Sequence, residues 1–235
     1  MNYLVIGASG HLGRQVVNHL LPKLTADDQL YGLVHHPRPA DQIEYRPADF
    51  MDPASLNAAF KDIDVLVYIP SKTYVTADRI QELKNVIAAA KEQEILALVA
   101  MSFIADQADN PFVMAPFYHQ MPELLAKSGL TYVILKDALY ADPLVPYLPE
   151  LIERQAIIYP VGDQKMSFIA IDDCAEAFAA AAVNPVIRSS KQTFTLSQTK
   201  AYTMPELAAI MSKKSYWRTD WLPTSHYQRI WPDLR

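Results

Sequence analysis

Cysteine, glycine and long apolar runs are all scarce in this chain, and each scarcity removes a class of function. A single cysteine, Cys174, in 235 residues rules out an intrachain disulfide and leaves no thiolate cluster for zinc or iron–sulfur chemistry. Set in Asp-Cys-Ala-Glu-Ala-Phe, it reads as a structural thiol on the apolar face of a helix. No apolar run approaches the ~18 residues needed to span a bilayer, and the first residues form a strand-like run instead of a charged region and signal core. A cytoplasmic protein with no membrane partner is expected. Positive charge is short as well. With 21 Lys and Arg against 26 Asp and Glu, the net charge of -5 supplies no field for holding nucleic acid by its phosphates. The 6 histidines show no HExxH or other ligand spacing, and His35-His36 alone cannot make a site, so no metal is expected. Gly-x-Ser-x-Gly is missing too, which removes the nucleophile elbow of acyl-enzyme hydrolases.

What remains is an ordinary globular composition, 51% hydrophobic and 20% charged, in which short apolar runs alternate with helix-period stretches. That alternation is the mark of βαβ units building a parallel sheet. Strands are predicted at 3–6, 30–34, 43–45, 65–69, 95–100 and 132–135. Leu12, Val16, Val17, Leu20 and Leu21 recur at helical spacing after the first strand, and Asp52-Pro53 opens a helix with a capping carboxylate. A longer helix from about Asp78 places Ile80, Leu83, Ile87 and Ala90 on one face and Arg79, Lys84, Lys91 and Glu92 on the other. A further helix fits Pro122 to Lys127, stopped by Gly129. Prolines 143, 146, 149 and 160 mark a loop-rich region, followed by a helix over 172–183 and a strand over 194–196.

Only six glycines occur, yet three of them fall in Gly7-Ala8-Ser9-Gly10-His11-Leu12-Gly13, directly after the first strand and at the start of a helix. A phosphate-binding turn needs glycine because a Cβ would meet the pyrophosphate or the neighbouring strand, while helix N–H groups and the helix dipole attract the anion. The spacing is GxxGxxG rather than the commoner GxGxxG, and its position between strand and helix carries the signal. The fold class predicted is therefore α/β, a Rossmann-type doubly wound parallel sheet with a small C-terminal substrate-side region. The dinucleotide-binding core is placed at 1–136 and the substrate side with its tail at 137–235, the helix 172–183 packing on the core. NAD sites place an acid after the second strand. Here that strand ends in Val34-His35-His36-Pro37-Arg38, which favours NADP(H) through Arg38, or through Arg14 across the turn, and leaves NAD(H) as the alternative. The competing reading of this loop is a solvated surface segment.

With these elements in place, the chain resembles the NmrA-like branch of the atypical short-chain dehydrogenases/reductases, and especially its NADP(H)-dependent quinone oxidoreductase members. The carriers are the glycine turn, Ala48-Asp49-Phe50, Ala100-Met101-Ser102-Phe103, Lys127-Ser128-Gly129-Leu130 and Phe168-Ile169-Ala170-Ile171-Asp172-Asp173-Cys174-Ala175, spread over roughly residues 1 to 210. The resemblance implies adenine contacts at Asp49 and Phe50, with a capping role for Asp49 as the alternative. Ile69, Pro70 and Ser71, and likewise Met101 and Ser102, end strands at the carboxyl edge of the sheet, where such folds bind ligands. With Gly7, Ser9, Gly10, His11, Leu12, Gly13 and His35, they make up the candidate cofactor site. Two positions depart from the quinone-reductase pattern, which has an arginine where this chain has His35 and a lysine where it has Glu123.

Short-chain dehydrogenases reduce carbonyls with a helical Tyr-x-x-x-Lys pair. Here only Tyr68/Lys72 and Tyr132/Lys136 have that spacing, and both tyrosines fall in strands, where four residues span ~13 Å. Four residues after Tyr118 comes Pro122. The candidates near the reacting centre are Tyr118 or His119 as proton donor and Ser102 as a hydrogen-bonding group, each of which packing or capping would also explain. Lys136 and Tyr140 are candidates for a substrate opening or its solvent rim. Two functions stay open: an NAD(P)H-dependent oxidoreductase passing a hydride to a quinone or similar small apolar acceptor, and a non-catalytic redox sensor. A monomer or homodimer is expected. In the tail, Trp217 and Trp221 at a four-residue spacing could share a helix face, with Trp231 beyond.

Overall fold

The computed structural model describes residues 1–36, 39, 42–154, 156–157, 161–215 and 220–221. Along the chain run β1 (Asn2–Ile6), α1 (His11–Leu20), β2 (Gln29–Val34), β3 (Glu44–Pro47), α2 (Pro53–Phe60), β4 (Val65–Tyr68), α3 (Thr76–Glu92), β5 (Ala97–Phe103), α4 (Ala115–Ser128) and β6 (Tyr132–Asp137). They are followed by β7 (Leu139–Tyr140), α5 (Leu144–Arg154), β8 (Ala156–Ile157), β9 (Phe168–Ile169), α6 (Ile171–Val183), α7 (Pro185–Arg188), β10 (Thr193–Leu196), α8 (Met204–Ser215) and β11 (Asp220–Trp221). Seven strands form one sheet in the order β10-β6-β5-β4-β1-β2-β3, and every pairing in it is parallel. The predicted doubly wound α/β sheet is thus present, with its order reversing between β1 and β4. All its carboxyl ends open on one edge, where ligands of such sheets bind.

The chain divides into two units. Residues Met1–Ala138 and Ile171–Leu196 form the first, which therefore takes up α6, α7 and β10 after an excursion. On one face of its sheet, Leu4, Ile6, Leu66, Tyr68, Leu98, Ala100 and Ile134 pack with Leu56 and Phe60 of α2, Leu83 and Val86 of α3, and Phe117, Met121 and Leu125 of α4. On the other, α1 lies against α6, whose Cys174, Ala175, Ala179 and Ala182 are small enough to let the helices close up. Cys174 is buried there, as expected. His19 Nε2 and Asp172 Oδ1, 2.7 Å apart, join the same two helices.

Leu139–Ala170 with the chain from Ser197 onward form the second unit. It holds two short parallel pairs, β7 with β9 and β8 with β11, and an antiparallel bridge between Met166 and Tyr202. Ile157, Met204 and Ala208 centre its own small core.

Several boundaries differ from expectation for identifiable reasons. Helix α4 starts seven residues before Pro122, which sits inside it: a proline lacks one N–H, and here the missing donor is the one that would reach the Tyr118 carbonyl. The proline-rich stretch taken as loop contains α5, with Pro149 inside it, while Pro160 lies outside the described residues. Arg79, placed by periodicity on the polar face of α3, is buried. Trp221 is a strand residue. Trp217 and Trp231 lie outside the described residues. Among the described residues, no helix is long and apolar enough to cross a membrane.

Candidate active site

The glycine turn follows β1 directly. Gly7 adopts φ 76°, a left-handed conformation that glycine enters without strain, and Gly10 N–H donates to the Gly7 carbonyl at 2.9 Å to close the turn. Gly10 then caps α1 with no side-chain bond, and the first turn of α1 carries no acidic residue, so its N–H groups stay available to an anion. Gly13 is forced by packing. A Cβ there would lie 2.1 Å from the Gly7 carbonyl oxygen and 2.9 Å from the Ala8 Cα. Ile69, at the end of β4, is brought against this turn, its Cβ 3.4 Å from where a Gly7 Cβ would stand. Ser9 and His11 are exposed on the turn, while Leu12 is buried and anchors α1 to the core.

A fourth glycine belongs to this construction. At Gly32, in the middle of β2, a Cβ would come within 2.8 Å of both the Ala8 Cβ and the Tyr45 ring. Glycine inside a strand marks a close approach, which is the signal that would have found it. The Gly32→Ala variant should weaken cofactor binding about tenfold, because overpacking of about 1–3 kcal/mol must push either Ala8 or Tyr45 away. Calorimetric titration checks this, and unchanged affinity would show that Ala8 need not be held against β2.

At the end of β2, His35 and His36 are exposed with their rings edge to face at 4.5 Å. Arg38 lies outside the described residues. Asp49 is exposed, and its Oδ1 accepts from Met51 N–H at 2.8 Å, the local turn role that was its alternative reading. Phe50 packs partly against the core. Pro70 and Met101 are half-buried.

Ser71 is tied down by residues that sequence reasoning missed. Its hydroxyl donates to Glu82 Oε2 at 2.5 Å, and the Thr73 hydroxyl donates to Glu82 Oε1 at 2.9 Å. Arg79 Nε and Nη2 both donate to the Thr73 carbonyl, at 3.0 and 2.6 Å. Arg79 and Glu82 are only 5% and 6% exposed, so the opening turns of α3 hold the β4–α3 loop from inside the fold. Their signal was a stripe, since 79, 82, 83, 86 and 90 follow helical spacing.

Farther along the carboxyl edge, Tyr118 is buried among Phe117, Phe103 and Phe112, with ring centroids 5.0, 5.9 and 6.4 Å away. Burial pushes its phenol above the ordinary tyrosine range, while the positive charge of Arg79 pulls the other way. Ser102 is fully buried and its Oγ has no hydrogen-bond partner. It follows Ala100 on the same face of β5 as Tyr68, whose hydroxyl is likewise unpartnered. Lys136 stands beside Ser102 in the β5–β6 register, and its ammonium pairs with Asp106 at 2.5 Å. It belongs to β6 itself, not to the loop after it. His119 is exposed, with Nδ1 3.0 Å from the Asp106 carbonyl oxygen. Tyr140 falls in β7, at the start of the second unit.

A parallel sheet whose first turn has Gly7 in the left-handed region and Gly13 packed too closely for any side chain, with an uncapped helix behind it, defines a dinucleotide-binding α/β protein. The chain belongs to the NAD(P)H-binding family, whose model matches residues 7–185. It is similar to quinone oxidoreductase 2 of Escherichia coli, at 28% identity over 218 residues that cover 90% of this chain and 73% of that protein. The expected resemblance to quinone-reductase members is borne out. Among solved structures, a Staphylococcus aureus protein described as a nucleoside-diphosphate-sugar epimerase superposes with a TM-score of 0.90 at 31% identity, covering all of this chain and 85% of that one. The triphenylmethane reductase of Citrobacter sp. complexed with NADP(H) superposes with a TM-score of 0.88 at 25% identity, covering 97% and 81%.

Proposed function

We propose that the protein is an NADPH-dependent reductase that passes a hydride to a quinone or a similarly flat, apolar acceptor. The observation that carries the reading is the turn at Gly7, Gly10 and Gly13, which has no side chains at those positions and leads into a helix whose first N–H groups have no side-chain cap. Gly7–Gly13 would hold the pyrophosphate, Ile69 would lie beside it, and Asp49 and Phe50 would stand toward the adenine. NADP(H) is favoured because β2 is followed by His35-His36, with no carboxylate among the described residues there to meet a ribose 2′-hydroxyl, and because the Citrobacter relative is complexed with that cofactor. The dinucleotide, when bound, supplies the hydride.

The chain's own residues would supply a dry wall and a proton. Phe103, Phe112 and Tyr118 make an aromatic surface at the end of β5 suited to a flat ring. Tyr118, kept protonated by burial, serves as proton donor, and His119 is the exposed alternative. Ser102 would act from behind the surface, and Lys136, paired with Asp106, would border the acceptor side. Sugar epimerisation fits less well, because α4 places Pro122 where the helical lysine of such enzymes belongs. The same proline is what favours the second reading, a redox sensor that binds dinucleotide without turnover.

Separate calorimetric titrations with NADPH and NADH test the cofactor, and loss of NADPH absorbance with a panel of quinones tests the reaction. NADPH should bind at least about tenfold more tightly, a difference of about 1.4 kcal/mol. Tight binding with no turnover of any acceptor would leave the sensor reading in its place.

A further inference from the structure

Resting on the reductase reading above, we infer that the acceptor carries an uncharged hydrocarbon chain, held by Tyr74 and Val113 on an apolar ridge that continues the aromatic surface after β5. Single exposed apolar side chains are ordinary on a protein, whereas several side by side mark a place where another molecule is bound. Phe112 joins the aromatic surface to the ridge. Its ring packs against Phe103 at 5.6 Å and Tyr118 at 6.4 Å, yet it stays 37% exposed, and Val113 after it is 57% exposed. The Thr76 hydroxyl donates to the Val113 carbonyl at 2.8 Å, which sets the β4–α3 loop beside this segment. Val75 is extended (φ -88°, ψ 110°), so the side chains of Tyr74 and Thr76 leave the backbone on one side, the side on which Val113 lies. Tyr74 is 74% exposed there.

The ridge is preformed and uncharged. Glu82 accepts from Ser71 and Thr73, and Arg79 donates to the Thr73 carbonyl, so the loop that carries Tyr74 is fixed from within. Across from it, Phe112 N–H donates to Asn110 Oδ1 at 2.9 Å, and Ala115 N–H donates to the Phe112 carbonyl at 2.8 Å. Surface that is already ordered loses little entropy when something settles on it. Residues 73–77 and 110–118 include no Asp, Glu, Lys, Arg or His. Such a strip has no charge to meet a phosphate, a carboxylate or an ammonium, but it gains free energy by covering methylene groups. The acceptor it fits is a flat ring with an alkyl substituent, the ring against Phe112 and Tyr118 and the chain over Val113 and Tyr74.

The test compares 1,4-benzoquinones that bear straight alkyl chains of one to eight carbons, with NADPH as donor. Their kcat/KM should rise about twofold per methylene, less than full burial of a CH2 gives, because an open ridge covers one side of the chain. Tyr74→Ser/Val113→Ser should flatten the series while leaving NADPH affinity and kcat/KM for methylbenzoquinone unchanged. The bond from Thr76 goes to the Val113 backbone and survives that substitution. Val186→Ser removes another exposed side chain, close to Arg188, whose Nη2 lies 3.4 Å from Met1 Sδ at the amino edge of the sheet, and should keep the original slope. Calorimetry with 4-alkylphenols of the same lengths, which accept no hydride, should show the same slope in affinity and its loss in the double variant. A flat series in the unmodified protein, a slope retained by Tyr74→Ser/Val113→Ser, or a changed sedimentation in place of a changed slope, which would make the ridge a contact between two copies, would overturn the inference. If the unmodified protein reduces no quinone, the reductase reading fails by itself, and the alkylphenol affinities still decide whether the ridge holds a hydrocarbon chain.

Discussion

The Gly13→Ala variant should lose NADPH affinity by at least about a hundredfold, roughly 2.7 kcal/mol. The new methyl would stand 2.1 Å from the Gly7 carbonyl oxygen, 2.7 Å from the Gly7 carbonyl carbon and 2.9 Å from the Ala8 Cα, all of them backbone atoms. No rotamer relieves such a contact. Helix α1 must back away from the end of β1, and its first N–H groups then point elsewhere. Gly10→Ala is a graded control, because its Cβ would meet only the Gly7 oxygen, at 3.3 Å. Calorimetry gives the affinities, and far-ultraviolet circular dichroism shows whether α1 remains folded. Undiminished binding by Gly13→Ala would remove the glycine turn from the cofactor site.

The second large effect is on stability. Glu82→Ala should destabilise the fold by about 2–4 kcal/mol, because the hydroxyls of Ser71 and Thr73 lose their acceptor inside the protein, each at about 1–3 kcal/mol. For a chain of this size that lowers Tm by roughly 5–15 °C. Glu82→Gln, which keeps an acceptor oxygen, should lose less. Glu123 pairs with Lys127 on the solvent side of α4, so Glu123→Ala should leave the midpoint where it is. Thermal unfolding followed by circular dichroism ranks the three. A Glu82→Ala midpoint equal to that of Glu123→Ala would mean that the β4–α3 loop is not held from within.

Features read correctly from the sequence are those fixed by local backbone chemistry. The turn at Gly7–Gly13, the Asp52 cap of α2 and the left-handed Gly129 after α4 each depend on a few adjacent residues, so composition and spacing reveal them. Misreadings arose where a residue's usual habit was overridden by packing. Arg79 and Glu82 are charged, and a charge on an amphipathic helix is ordinarily assigned to water, yet both lie on the stripe that also buries Leu83 and Val86. Pro122 and Pro149 normally end helices, whereas here they sit inside them. The surroundings of Lys136 were beyond any local reading. Its neighbour Ser102 and its partner Asp106 come from another strand and the loop after it, joined to it only by the sheet. Gly32 was legible in principle, but the segment it accommodates, Ala8, is two elements away in sequence.

The return of Ile171–Leu196 to the first unit has a consequence for how the chain is made. During synthesis, β6 leaves the ribosome as the bare edge of an unfinished sheet, and its partner β10 follows only after the whole excursion Leu139–Ala170 has been translated. Until α6 arrives, the sheet face and the side of α1 that it covers stay wet. Closing a loop of that length costs little more than closing a short one, because the entropy grows only with the logarithm of length, so the delay is one of time more than of free energy. The nascent protein therefore passes through an interval in which an apolar face and an open strand edge are both on offer to chaperones or to other nascent chains.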